Sequence, residues 1–310
     1  MTFNGKSSTL WFALIAFALV PRSAVAQQQF DTPEAAATAL VEAVRANDHK
    51  VANAILGPGG EEITLSGDET QDATARQLFL LAYDATHQIN TVDNNRALLS
   101  VGPQGFVLPI PIVKREKGWE FDAAAGREEI LFRRIGRNEL YAIQVCLAYV
   151  DAQHDYADLM RAGGGAAAYA QRFFSHPGKK DGLYWPQRSD SETSPMGEFV
   201  AMATMEGYRV GSRPQPFHGY YYKILTQQGA TAPGGALNYV VKGNMIGGFA
   251  LVAFPAEYGN SGVMTFVINH NGTIFQKDLG PRTQVVADRM TAFNPDHTWA
   301  KVEVTDVPPQ

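Results

Sequence analysis

Residues 126–160, GREEILFRRIGRNELYAIQVCLAYVDAQHDYADLM, decide the fold. Leu140, Ile143, Leu147 and Val150 recur at intervals of three, four and three, the spacing that puts apolar side chains on one stripe of an α-helix. The first turn is acidic, which suits the positive N-terminal end of a helix, and Glu129 stands one turn before Arg133. At 1.5 Å per residue the pattern reaches ~50 Å, with Gly136 as the expected interruption and Gly163-Gly164-Gly165 as its end. Too few heptads are sustained for a coiled-coil seam, so the stripe reads as core.

Downstream, the period changes to two. His218, Tyr220, Tyr222 and Ile224 share one face of a strand; Tyr221, Lys223 and Leu225 share the other. Further strands are predicted at 237–241, 248–254, 263–269 and 273–277, with Asn271-Gly272 as a hairpin turn whose central residues accept positive φ. The run from Phe249 to Phe254 is apolar on both faces and reads as an inner strand. A short helix is expected over 198–208, and a closing helix over 283–293 that lays Val285, Val286 and Met290 on the sheet. Upstream, Thr32 caps a helix that Pro33 and Glu34 begin, and its apolar spacing continues to the glycines at 57–60. A second helix over 72–85 and strands over 98–101, 105–113 and 118–121 complete that half. The fold class is therefore α+β. Residues 27–125 form a helical and antiparallel-sheet unit laid out like the nuclear-transport-factor-2-like (NTF2-like) cone. Residues 126–310 form a long helix on an antiparallel sheet.

Residues 1–26 read as an export signal. Lys6 precedes an apolar core from Leu10 to Val20, and Ala24-Val25-Ala26 is a small-x-small cleavage site, leaving Gln27 first. Eleven apolar residues fall short of the ~20 that a membrane span needs, so no retained transmembrane helix is expected. Taking away Lys6 and Arg22 leaves 24 basic residues against 31 acidic, a net charge of −7. This sign and the lack of a long basic cluster exclude nucleic acid as an expected partner. Cys146 is the single cysteine, so an exported chain of this sequence forms no internal disulfide; at mid-helix it reads as a small half-buried hydrophobe.

Signatures of chemistry are missing. No phosphate loop, paired-cysteine site or His-Glu-x-x-His helix occurs, and no two of the seven histidines stand three or four apart, so no metal or cofactor is implied. Gly259-Asn260-Ser261-Gly262 lacks the spacing of a serine-hydrolase elbow. His270, at the hairpin, reads as a solvated turn residue. The best candidate surface combines Asp181, Tyr184, Trp185, His218, Tyr220 and Tyr222, where rings stack on a ligand and a few polar groups orient it. Glu257 is added as a candidate acid or base.

Several long blocks carry a specific resemblance: FDTPEAA (30–36), PIPIVK (109–114), GWEFD (118–122), RIGRNEL (134–140), DGLYWP (181–186), FHGYY (217–221) and GVMTFV (262–267). In these the chain resembles the bacterial exported proteins of domain of unknown function 2950, over about Phe30 to Trp299. The resemblance implies a Gram-negative envelope or periplasmic protein and carries over no catalytic residue. The long helix followed by hairpins also looks like the globular part of type IV pilins, but no apolar N-terminal helix survives signal cleavage to build a filament. The expected function is a non-catalytic protein that binds an envelope glycan, another ligand or a protein partner through the aromatic region. The alternatives are a hydrolase of envelope material using Glu257, Asp181 or His218, and a structural component of an envelope assembly with an exposed sheet edge.

Overall fold

The structure is a computed structural model that describes residues 27–186, 193–209 and 215–303. The predicted export signal and most of the polar loop 189–195 lie outside the described residues.

Four helices open the chain: α1 (Pro33–Arg45), α2 (His49–Leu56), α3 (Gly60–Thr64) and α4 (Glu69–Ala85). The Thr32 hydroxyl accepts the Ala35 N–H at 3.1 Å, as its position before Pro33 predicts. The single apolar run expected up to Leu56 is broken at 46–48, where Asn47 adopts φ +54° and Asp48 caps α2. There follow β1 (His87–Asp93), β2 (Arg96–Val101), β3 (Phe106–Val107), β4 (Ile112–Arg115) and β5 (Gly118–Phe121). They pair antiparallel in the order β1-β2-β4-β5, with β3 also on β2. Leu40, Ile55, Leu56, Leu99, Ile112 and Phe121 close the core between these helices and this sheet.

Next comes α5 (Ala123–Ala162), 40 residues and ~60 Å long. It runs through Gly136 without a break, because that glycine lies on an exposed face and meets nothing within 4 Å. The third and fourth turns from its C-terminal end supply Tyr149, Val150 and Gln153 to the second core, and Cys146 is fully buried beside them. After α6 (Gly197–Met205), β6 (Tyr220–Leu225), β7 (Gln227–Gln228), β8 (Leu237–Asn238), β9 (Val240–Val241), β10 (Asn244–Met245), β11 (Ala250–Pro255), β12 (Met264–Asn269) and β13 (Ile274–Asp278) follow. The chain closes with α7 (Thr283–Arg289), β14 (Ala292–Phe293) and β15 (Ala300–Lys301). The main sheet has the order β15-β13-β12-β11-β6 and is antiparallel throughout. Every residue of β11 is buried, as its two-sided apolar pattern requires. The protein is thus α+β, with one long helix set beside antiparallel sheets. No helix among the described residues is long and apolar enough to cross a membrane.

Three local expectations change. In the β12–β13 hairpin only Gly272 takes positive φ, and its N–H donates to the Asn269 carbonyl at 2.9 Å. Asn269 is buried and donates to Gln228, which widens the turn beyond two residues. On α7, Val285 and Val286 face outward, 51% and 41% exposed, and Ala287 is the residue that packs on the sheet. His270 is half-buried rather than solvated, set edge-on against the Tyr239 and Phe249 rings.

Gly126 marks the tightest junction between α5 and the first sheet. A Cβ there would stand 2.4 Å from the Pro109 carbonyl oxygen and 2.9 Å from Ile110 Cα, backbone atoms with no rotamer to yield. Gly126→Ala gains helix propensity of ~0.5–1 kcal/mol but overpacks this contact by ~1–3 kcal/mol. Net destabilisation in a urea titration is expected; a gain in stability would show that the 109–110 segment moves freely.

Candidate functional site

The site is built around a tight turn. Phe217 and Tyr220 exchange both backbone hydrogen bonds, so His218-Gly219 is a two-residue loop, and both residues have positive φ, +49° and +74°. That geometry matches the right-handed twist of paired strands and normally recruits Asn-Gly; histidine is among the few side chains that tolerate it. Two distant side chains hold the turn. Asp68, buried at 1% exposure, accepts the Gly219 N–H at 3.0 Å and the Tyr208 O–H at 2.9 Å through the same oxygen. The Tyr208 oxygen in turn accepts the His218 N–H at 3.1 Å. Asp68 Oδ1 caps α4 by accepting the Gln71 N–H. The His218 ring stacks on Tyr141 of α5 at 4.0 Å and 7°, with Nε2 3.0 Å from Glu206.

In front of this turn lies a groove of about 330 Å³. One wall is α6, through Phe199, Val200 and Ala203; the other is the bridge that pairs Phe174 with Tyr184. Phe217 closes one end, edge-on to Phe199 at 5.2 Å and to Tyr208 at 4.7 Å, and Tyr221 and Tyr222 of β6 also line it. Arg209, Gln215 and the Tyr184 ring line it as well, and three of its hydroxyls are turned to protein. Tyr208 bonds Asp68, Tyr222 donates to the Phe217 carbonyl at 3.4 Å, and Thr204 donates to the Val200 carbonyl at 2.7 Å. Burial holds the Tyr208 and Tyr222 phenols well above their ordinary range, so neither supplies a proton acceptor at neutral pH. Such a surface takes apolar or aromatic groups and has no evident chemistry of its own.

Of the residues singled out from the sequence, Tyr184 and Tyr222 meet in this groove. His218 stands behind it, in the turn. Tyr220 is fully buried, and its hydroxyl donates to the Met264 carbonyl at 2.9 Å. Trp185 is buried in the second core, with the Lys180 ammonium 5.6 Å over its ring. Asp181 belongs to a different cleft beside Tyr156 and Arg172, where it accepts from the His176 backbone at 2.9 Å and lies 2.7 Å from its ring. Glu257 accepts the Asn260 amide at 3.0 Å, and Ser261 is buried, its hydroxyl bonding the Glu257 backbone both ways. Phe173, Phe199, Tyr208 and Phe217 were not singled out and carry much of the groove. The Phe173-Phe174 pair stood in an irregular region where no periodicity assigned a direction, and Phe217 stood at the start of the period-two stretch, ahead of the residues assigned to its faces. Among the described residues no cluster of histidine, cysteine, aspartate and glutamate is disposed to hold a metal.

Burial, helped by the nearby Arg137 charge, lowers the His218 pKa to about 4. The unfolded ring titrates near ~6.5, so between these values the unfolded chain holds the extra proton. The neutral ring therefore contributes stability that is complete above pH ~6.5 and falls away as the pH drops toward the folded value, roughly 3 kcal/mol in all. Glu206, raised chiefly by burial and then by Asp68, acts in the opposite sense, and more weakly because its side chain is 45% exposed. His218→Asn keeps a side chain that accepts positive φ. Its urea midpoint is expected to decline less steeply than the wild type between about pH 7 and about pH 4.5; parallel slopes would remove His218 as the cause.

No curated protein and no solved structure matches the chain. The family described as Protein of unknown function (DUF2950) matches residues 27–302, nearly all of the described fold and every residue of the groove, and the chain belongs to that family.

Proposed function

We propose that the protein is an exported envelope or periplasmic protein, released by cleavage after Ala26, that binds an apolar or aromatic ligand in the groove between α6 and the Phe174–Tyr184 bridge without transforming it. The observation that carries this reading is the groove's composition. Its walls are mostly phenylalanine, tyrosine, valine, alanine and methionine side chains with Arg209 and Gln215 among them, and the Tyr208, Tyr222 and Thr204 hydroxyls bond protein atoms. A glycan would need a dense set of polar groups to orient it, and against the nine apolar or phenylalanine residues of the lining stand Arg209, Gln215 and the Tyr184 and Tyr221 hydroxyls. The hydrolytic alternative needs Asp181, His218 or Glu257 at one substrate. Each is held in a separate hydrogen-bonded cluster, and none lines the groove.

The test uses the neutral fluorescent probe N-phenyl-1-naphthylamine. Ala203→Trp fills the groove from its helical wall, and Phe199→Ala removes a ring from it. Both are expected to weaken probe binding by about tenfold or more, the scale of burying or losing one aromatic contact. Unchanged binding in both variants, with thermal melting intact, would sink the reading. The export proposal is tested separately: protein recovered from the native periplasm should begin at Gln27 by intact-mass analysis, and a chain that keeps residues 1–26 would refute it.

A further inference from the structure

A second cavity, of about 400 Å³, lies beside the first core, lined by residues of α1, α2, α3, α4, the 106–109 segment and residues 130–137 of α5. Its apolar lining includes Ile63, Phe79, Leu108 and Ile130. Its charged lining is four arginines, Arg76, Arg133, Arg134 and Arg137, against two acids. That excess runs against a chain whose overall charge is −5.

The two acids are engaged elsewhere. Asp48 accepts the Val51 N–H at the start of α2, and both oxygens of Asp72 accept the Ser66 N–H, at 3.0 and 3.1 Å. Burial pushes the Asp72 carboxyl up, which weakens it further as a counter-charge. Arg134 is buried and donates to the carbonyls of Glu62, Ile63 and Leu65 and to the Asn260 side chain, with the charges of Asp72 and Glu257 near enough to act on it, so its needs are met within the protein. Arg133 pairs with the exposed Glu129. Arg76 and Arg137 have no ion-pair or hydrogen-bond partner among the described residues, although Arg76 is half-buried. A half-buried guanidinium keeps its five donors and its charge, and leaving them unmatched is costly without an anion.

We infer that this cavity binds a soluble amphiphile with one anionic head and an apolar chain, such as a medium-chain carboxylate, its head held by Arg76 and Arg137 and its chain laid on Phe79, Leu108 and Ile130. Guanidinium forks suit carboxylate oxygens in two-point contact, and the cavity volume falls within the ~300–1,000 Å³ of small-molecule sites. This site is distinct from the aromatic groove, with which it shares no lining residue.

The experiment is calorimetric titration of the chain from Gln27 with dodecanoate below its micelle concentration, with dodecanol and butyrate as probes of the chain and head alone. Dodecanoate is expected to bind, the other two to bind at least tenfold more weakly, and added salt to weaken the dodecanoate complex. Arg76→Gln with Arg137→Gln should lower affinity at least tenfold, while the lysine pair at both positions retains part of it and ligand-free melting is not lowered in either. Ala203→Trp, in the aromatic groove, should bind dodecanoate as the wild type does. The inference is overturned if dodecanoate does not bind, if dodecanol binds equally well, or if the glutamine variants bind unchanged. Loss of binding in Ala203→Trp would move the ligand to the groove. Binding to phosphatidylglycerol vesicles without binding to dodecanoate would make the arginines a membrane contact and reject the cavity.

Discussion

The carboxylate of Asp68 is the constraint on which the arrangement rests. It is buried, and through its two oxygens it caps α4, holds the peptide of Gly219 and orients the Tyr208 hydroxyl. A buried carboxylate is costly unless donors surround it. Three donors converge on this one, and they come from parts of the chain up to 151 residues apart. Placing Asp68 therefore fixes the first unit's helix start against the hairpin that leads into the second sheet. The strained His218-Gly219 turn persists because its two outward N–H groups have no better partner than Tyr208 and Asp68.

Helix α5 reinforces that junction along one face. Arg134 ties the 62–65 segment to Asn260, Asn138 donates to the Ser261 carbonyl at 2.9 Å while accepting from Gln71, and Glu139 accepts the N–H groups of Val263 and Met264. These positions fall at 134, 138 and 139, the helical spacing that faces one side. Above and below them the same helix contributes apolar side chains to two separate cores, Ile130 to the first and Tyr149 to the second. The polar middle and apolar ends explain why α5 is long: it spans both cores, and its hydrogen bonds define how they meet.

What was legible in the sequence follows from how each element is buried. The 3.6-residue stripe of α5, the two-sided apolar run of β11 and the short strand at 118–121 were readable because one environment governs each. Strand β1 was missed: its sequence, HQINTVD, is wet on both faces and shows no apolar alternation. Val285 and Val286 misled because hydrophobicity alone does not say which side of a short helix meets the sheet. Of the aromatic candidates, Tyr184 and Tyr222 reach the groove and Tyr220 does not, although Tyr220 and Tyr222 share a strand face. The difference is that Gly262 lets the Tyr220 hydroxyl approach the β12 backbone, where a Cβ would stand 2.2 Å from it. No local pattern in 217–225 reports a glycine forty residues away.

The two cavities differ in lining: four arginines and two aspartates line one, and a single arginine, Arg209, stands among the aromatic side chains of the other. Arg137 lines the cationic cavity, and its charge is felt at His218, where it adds to burial in lowering the basicity of a ring that backs the aromatic groove. The nearest carboxylate to the ring is Glu206, and it bonds His218 rather than Arg137. Within the cluster Arg133 has Glu129, and Arg134 has backbone carbonyls and the charges of Asp72 and Glu257, so Arg76 and Arg137 are the two guanidinium groups for which an entering anion would be the counter-charge.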